Sequence, residues 1–298
     1  MDICSASAAF FGYLQFEKRY SKNTLDAYKN DLNQFISFLS SNFDIAQPNE
    51  VKPTYIRTWL ASLKNEEMEA RSINRKLSAV KSFYKYLLRE GQVSENPTTT
   101  LNGPKLPRRL PSFATEGEMQ KLLDPANFPN DWEGKTAHLA INLLYECGLR
   151  RAELMGLKES QVDAHTRTLR ILGKGNKERL IPISQALLDQ INIYKAEKLK
   201  HLEKPDNQFL LVIGSGKPLY AKWVYNTVVK YLGQAGTLSK RSPHVLRHTF
   251  ATHLTNHGAE LNAVKELLGH SSLAATQVYT HNTIEKLKDA YKLAHPKA

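Results

Sequence analysis

The chain reads as a mainly α-helical protein of two domains with one small β-sheet. Three observations predict this. Apolar residues recur at three- and four-residue steps along most of the sequence, the period of a helix with one buried face. A single pair of short alternating segments flanks a Gly-rich turn, the pattern of a β-hairpin. One Pro-rich, basic stretch near residue 100 interrupts both patterns. At 298 residues the chain is long enough for two ordinary domains with real cores.

In the first hundred residues, Leu25, Tyr28, Leu32, Phe35 and Leu39 line one helical face. Ile56, Trp59, Leu60 and Leu63 form a second, shorter stripe, and Ile73, Leu77, Val80, Phe83, Tyr84 and Leu87 a third. Gly91, after Arg89-Glu90, is a helix stop, and Asn96-Pro97 marks a break. Residues 101–113, with three prolines and the basic side chains Lys105, Arg108 and Arg109, fit an extended linker. Thirteen residues stretch to roughly 40 Å. The expected division is therefore 1–100, a linker at 101–113, and 114–298.

The second domain opens on Thr115-Glu116-Gly117-Glu118, a capping-box pattern. A helix ending near Cys147 and stopped by Gly148 is expected next. Arg167 to Leu172 and Glu178 to Ile183 are the hairpin strands, joined by Gly173-Lys174-Gly175-Asn176. Helices are expected at 184–199, 221–233, 244–256, 261–268, 272–280 and 283–293, with Gly258 and Gly269 as stops. Ser242 and Pro243 stand at the N-cap and first-turn positions of the helix carrying His244.

Lys plus Arg number 41 against 29 Asp plus Glu, a formal net charge of +12. That excess favours a polyanionic partner, nucleic acid first and an anionic membrane surface second. The two cysteines, Cys4 and Cys147, form no disulfide framework and fit a reducing cytoplasm. No apolar run approaches the ~20 residues of a membrane span. No basic segment leads into an apolar stretch at Met1-Asp2-Ile3-Cys4, so no secretory signal and no membrane insertion are expected.

The chemistry-bearing residues lie in the second half. Arg150 follows Gly148-Leu149, His244 and Arg247 sit in His244-Val245-Leu246-Arg247-His248, His270 follows Leu268-Gly269, and Tyr279 comes nine positions later. Two arginines, two histidines and a tyrosine suit a cationic cradle that holds a phosphodiester while a phenol attacks it. A guanidinium makes paired charge-assisted hydrogen bonds to phosphate oxygens. Preorganised donors of this kind are usually the largest catalytic contribution. His244 and Arg247, three apart on an expected helix, share a face. A phenol with a pKa near ~10 needs a cationic pocket and a base to attack. Lys174, at the hairpin tip, suits a general acid for the leaving oxygen. The chemistry needs no metal and no cofactor. His244 and His248 also have a zinc-ligand spacing, but Val245 stands where a metalloprotease helix carries Glu, and Gly173-Lys174-Gly175 lacks the spacing of a P-loop.

Ser21-Lys22-Asn23-Thr24-Leu25-Asp26-Ala27-Tyr28, Gly148 to Leu154, Gly173 to Arg179, Ser242 to His248, Leu268 to Ser271 and Tyr279-Thr280-His281 together resemble the tyrosine recombinases of the lambda-integrase family, specifically the Xer subgroup. The resemblance implies an N-terminal helical, SAM-like DNA-binding (core-binding) domain and a C-terminal, mostly helical catalytic domain. It implies that Arg150, Arg247 and His270 hold the scissile phosphate, that His244 assists proton transfer, that Lys174 protonates the 5′-oxygen and that Tyr279 forms a 3′-phosphotyrosyl bond. As partners it implies double-stranded DNA at a dif-like site, a homo- or heterotetramer with a second Xer recombinase, and an FtsK-type translocase. A C-terminal helix, here Ile284 to Leu293, would pack into a neighbouring subunit. Residues 201–220 and Asp124 to Trp132 depart from the usual pattern. An integrase of a mobile element and a type IB topoisomerase share the chemistry; a DNA-binding protein without cleavage would not need the full residue set.

Overall fold

The computed structural model describes residues 1–106, 112–173, 178–203, 206, 208–235, 241–269 and 289–297. The chain forms two compact units, Met1–Arg109 and Leu110–Ala298.

The first unit is built from α1 (Ile3–Gly12), α2 (Lys22–Phe43), α3 (Pro53–Asn65) and α4 (Ala70–Arg89). The last three are the helices the apolar stripes predict. Their inward positions meet in one core in which Leu32, Phe35, Ile56, Trp59, Phe83 and Leu87 are fully buried. Phe35 and Trp59 pack with ring centroids 4.8 Å apart. Helix α1 was not expected. Its inward positions Ile3, Ala6, Ser7 and Phe10 do recur with helical spacing, but two are small and carry little apolar signal. Asp2 caps it, its carboxylate accepting from the Ser5 N–H at 2.9 Å. The carboxylate of Asp31, on α2, is buried against Arg75 and Lys76 of α4, the Lys76 Nζ lying 3.1 Å away.

The stretch at 101–104 packs on α4. Leu101 is buried, Lys81 Nζ donates to its carbonyl at 2.6 Å, and Asn74 Nδ2 donates to the Pro104 carbonyl at 2.9 Å. In the second unit, both backbone groups of Ala114 are held by one helix. Its N–H donates to Thr249 Oγ1 at 3.0 Å and its carbonyl meets His253 Nε2 at 2.9 Å.

The capping box at Thr115 forms and starts α5 (Glu116–Leu122). Pro125 begins a 3-10 turn at Pro125–Asn127, which separates α5 from the helix expected to end near Cys147. Helix α6 (Trp132–Glu146) follows, then α7 (Arg151–Met155). Gly148 between them has φ +55°, open to glycine and costly for other residues.

The sheet has three antiparallel strands in the order β1 (Val162–Asp163), β2 (Thr168–Leu172), β3 (Glu178–Pro182), with Leu172 opposite Glu178 and Leu169 opposite Ile181. The hairpin is as expected; the two-residue β1 is too short to show a period. Helices α8 (Gln185–His201), α9 (Ala221–Ala235), α10 (Pro243–Asn256) and α11 (Leu261–Leu268) complete the unit. Ser242 occupies the N-cap position of α10, but its side chain makes no capping bond. Residues 289–294 are helical; the rest of the helix expected at 283–293, and all of that at 272–280, lie outside the described residues. Tyr291 and Ala294 are buried in the chain's own core, with Phe250 and Leu254 of α10. His295 stacks on Tyr291 at 4.8 Å, and burial pushes its imidazole down to about 3, with smaller contributions from the neighbouring His253 and Lys297. Among the described residues no helix is long and apolar enough to cross a membrane.

Candidate active site

Helix α11 ends at Gly269, whose φ of +63° turns the backbone into the left-handed region. That turn leaves the last carbonyls of the helix without intrahelical partners. Three arginines from three different elements take three consecutive ones. Arg179, on β3, donates from Nε to the Leu267 carbonyl at 2.8 Å. Arg247, on α10, donates from Nη2 to the Leu268 carbonyl. Arg150, the residue before α7, donates from Nη2 to the Gly269 carbonyl at 3.1 Å. Cations at a helix C-terminus are favoured by the helix dipole as well as by the bonds themselves. His270 is the next residue in the chain.

One carboxylate ties the arginines together. Glu153 Oε1 accepts from Arg150 Nη1 at 2.7 Å and from Arg179 Nη1 at 2.9 Å. Its Oε2 accepts from the Arg150 backbone N–H at 2.8 Å and from Arg179 Nη2 at 2.8 Å. Arg247 Nη1 stands 4.0 Å from Oε2 and donates instead to the Gly148 carbonyl at 2.5 Å. Burial alone would raise the Glu153 pKa, yet the bonds from Arg179 and Arg150 outweigh it and hold the carboxyl down at about 2. Around Arg247 the balance is reversed. Burial, then the charges of Arg150 and Arg179, lower its pKa to about 10 against the opposing pull of Glu153.

Among the described residues three guanidiniums therefore face one carboxylate, and the cluster carries more positive than negative charge. Arg247 stays protonated at neutral pH, but at an electrostatic cost that a bound anion relieves. Arg150, with its side chain one-third exposed, presents that charge to solvent. This arrangement is suited to binding a phosphate and to stabilising charge that builds on its oxygens.

Of the residues the sequence singled out, the structure brings Arg150 and Arg247 together across the Gly148 and Gly269 turns. His244 lies exposed on the first turn of α10, one turn before the buried Arg247. Lys174, His270 and Tyr279 lie outside the described residues. Among the described residues no group of three or more His, Cys, Asp or Glu side chains could hold a metal ion.

Two members of the cluster, Glu153 and Arg179, were missed. Both left a trace. Glu153 stands three residues after Arg150, in position to bond back to its backbone. Arg179 shares the inward face of β3 with Ile181, and a charge on the buried side of a strand calls for a partner.

Residues 112–286 match the Phage integrase family, and residues 8–91 match the Phage integrase, N-terminal SAM-like domain. A tyrosine recombinase XerC from Halalkalibacterium halodurans is 39% identical, the match spanning 98% of this chain and 97% of that one. A tyrosine recombinase XerC from Listeria monocytogenes is 38% identical over 97% of each chain. Among solved structures, the XerH site-specific recombinase in a post-cleavage complex with a palindromic difH substrate has a TM-score of 0.71 at 21% identity, covering 90% of this chain and 79% of that one. At that identity the likeness is one of fold.

Proposed function

Since the chain belongs to the phage integrase family of site-specific tyrosine recombinases, enzymes that break and rejoin DNA, we propose that it resolves chromosome or plasmid dimers at a dif-like site, and that Arg150, Lys174, His244, Arg247, His270 and Tyr279 are its catalytic residues. The observation that carries the reading is the arginine cluster at the end of α11. It holds excess positive charge one residue before His270 and encloses two of the six proposed residues.

In this reading the scissile phosphate of double-stranded DNA sits on Arg150, Arg247 and His270. The Tyr279 phenol oxygen attacks phosphorus and passes its proton to a histidine, with His244 assisting. The bond from phosphorus to the 5′-oxygen breaks, and Lys174 supplies the proton that oxygen needs. The product is a 3′-phosphotyrosine and a free 5′-hydroxyl. The ester keeps the energy of the broken bond, so the reverse attack rejoins the strand without a nucleotide cofactor. Residues 1–100 serve as the core-binding domain, 101–113 as the linker and 114–298 as the catalytic domain. The partners are a second Xer recombinase or further copies of this chain, assembled as a tetramer on two DNA sites, with an FtsK-type translocase as regulator, and the compartment is the cytoplasm.

A nicked duplex carrying the dif-like site of the encoding genome tests the assignment. Wild-type protein should form a covalent protein–DNA adduct on it. Tyr279→Phe should bind the same duplex with similar affinity and form none. An adduct that persists in Tyr279→Phe would overturn the nucleophile assignment.

A further inference from the structure

Arg179 is buried, its side chain only 4% exposed, and it is far from free to meet solvent or a ligand. Burying a guanidinium is costly unless every donor is used well. Here the fork lies flat on Glu153, Nη1 on one oxygen and Nη2 on the other, while Nε holds the Leu267 carbonyl. With Arg150 supplying the other two bonds, each Glu153 oxygen already has two donors. Arg247 is the next cation, 4.0 Å from Oε2, and it makes its bonds to backbone carbonyls instead.

We propose that Arg179 is a positioning residue: by occupying both oxygens of Glu153 it holds Arg247 at the outer edge of ion-pair distance, without a hydrogen bond to the carboxylate, and leaves the Arg247 charge for the scissile phosphate. This rests on the phosphodiester reading given above. Without Arg179 each Glu153 oxygen loses a donor, and a shift of about 1 Å brings Arg247 from the 4.0 Å contact into a hydrogen-bonded ion pair. The site then still folds around a paired Glu153, but its phosphate-binding charge is spent internally. Gly269 fits the same role. A Cβ there would stand 3.0 Å from Arg179 Cδ, so the turn before His270 and the Arg179 side chain fix one another.

The test is a rescue experiment on the same nicked dif-like duplex, with adduct formation and duplex affinity measured separately. Arg179→Met should slow adduct formation about 100-fold, the size of losing one preorganised donor. Affinity should change less than about threefold, because contacts along the DNA backbone dominate binding. Adding Glu153→Gln to Arg179→Met removes the attraction that captures Arg247 and should recover at least about tenfold of the lost rate. A purely structural role predicts the opposite, a double variant as slow as Arg179→Met or slower, and that result overturns the proposal. So does an Arg179→Met enzyme that reacts within about threefold of wild type. Arg179→Lys, which keeps the charge but covers one oxygen only, covers the case in which Arg179→Met does not fold. It should lose about tenfold in rate, and full activity in it overturns the need for the fork. Failure of the wild-type protein to form any adduct removes the functional reading itself, and this inference with it.

Discussion

Neutralising Glu153 without changing its shape is the sharpest perturbation of the arginine cluster. In Glu153→Gln, two nearly buried guanidiniums, on Arg179 and Arg247, lose the one carboxylate that faces them among the described residues. The magnitude follows from the carboxyl itself. Its pKa falls from 4.5 to about 2 in the folded chain, a displacement worth roughly 3 kcal/mol. Removing one partner of a buried ion pair typically costs about 3–5 kcal/mol, which agrees. The sign is fixed by the direction of the shift. A carboxyl depressed on folding stabilises fully above its unfolded pKa and loses that contribution as pH falls toward its folded value. The gap between wild type and Glu153→Gln should therefore be roughly 3 kcal/mol at pH 7 and shrink to about 1.4 kcal/mol by pH 3. Urea unfolding followed by tryptophan fluorescence measures it, because Trp132 and Trp223 both lie in the second unit. A Trp59→Phe background silences the first unit in both proteins. A gap under about 1 kcal/mol at pH 7, or one that does not narrow on acidification, would refute the view of Glu153 as the charge anchor of this site.

Two more outcomes follow from the same unit. Gly148→Ala should destabilise the protein by about 2–4 kcal/mol, since alanine is strained at φ +55° and its Cβ would stand 2.5 Å from Phe250 Cδ1; thermal unfolding checks it, and because the Gly148 carbonyl holds Arg247, adduct formation should fall as well. His295, neutral and buried with a pKa lowered from 6.5 to about 3, stabilises its packing above pH 6.5 and loses that contribution as pH falls toward 3. At pH 5 the docking of residues 289–297 should be weaker by roughly 2 kcal/mol. Amide exchange of that segment, corrected for intrinsic rate, should rise about 30-fold between pH 7.5 and 5 in wild type and stay flat in His295→Phe.

The helices at α2, α3 and α4 were legible because each buries one continuous face against its neighbours, and a run such as Ile73, Leu77, Val80, Phe83 and Leu87 admits no other reading. Helix α1 was not, because Ala6 and Ser7 fill inward positions with side chains that a hydropathy pattern cannot weigh. The break between α5 and α6 was written in Pro125, which ends one helix and starts a short turn. Arg150 and Arg247 could be picked from their motifs because a phosphate-binding site needs guanidiniums. Glu153 and Arg179 could not be weighed as a pair. They are 26 residues apart, and only the folding of β3 against α7 and α11 makes one the partner of the other.

The two cysteines differ as sharply as two thiols can. Cys147, the residue capping α6, is fully buried, and that burial pushes its thiol well above the ordinary value, so it is inert to alkylation. Cys4 is exposed on α1. A maleimide dye added to the unaltered protein therefore attaches at one place per chain. Stepwise bleaching of single DNA-bound complexes then counts protomers directly, and four steps is the number the strand-exchange reading requires.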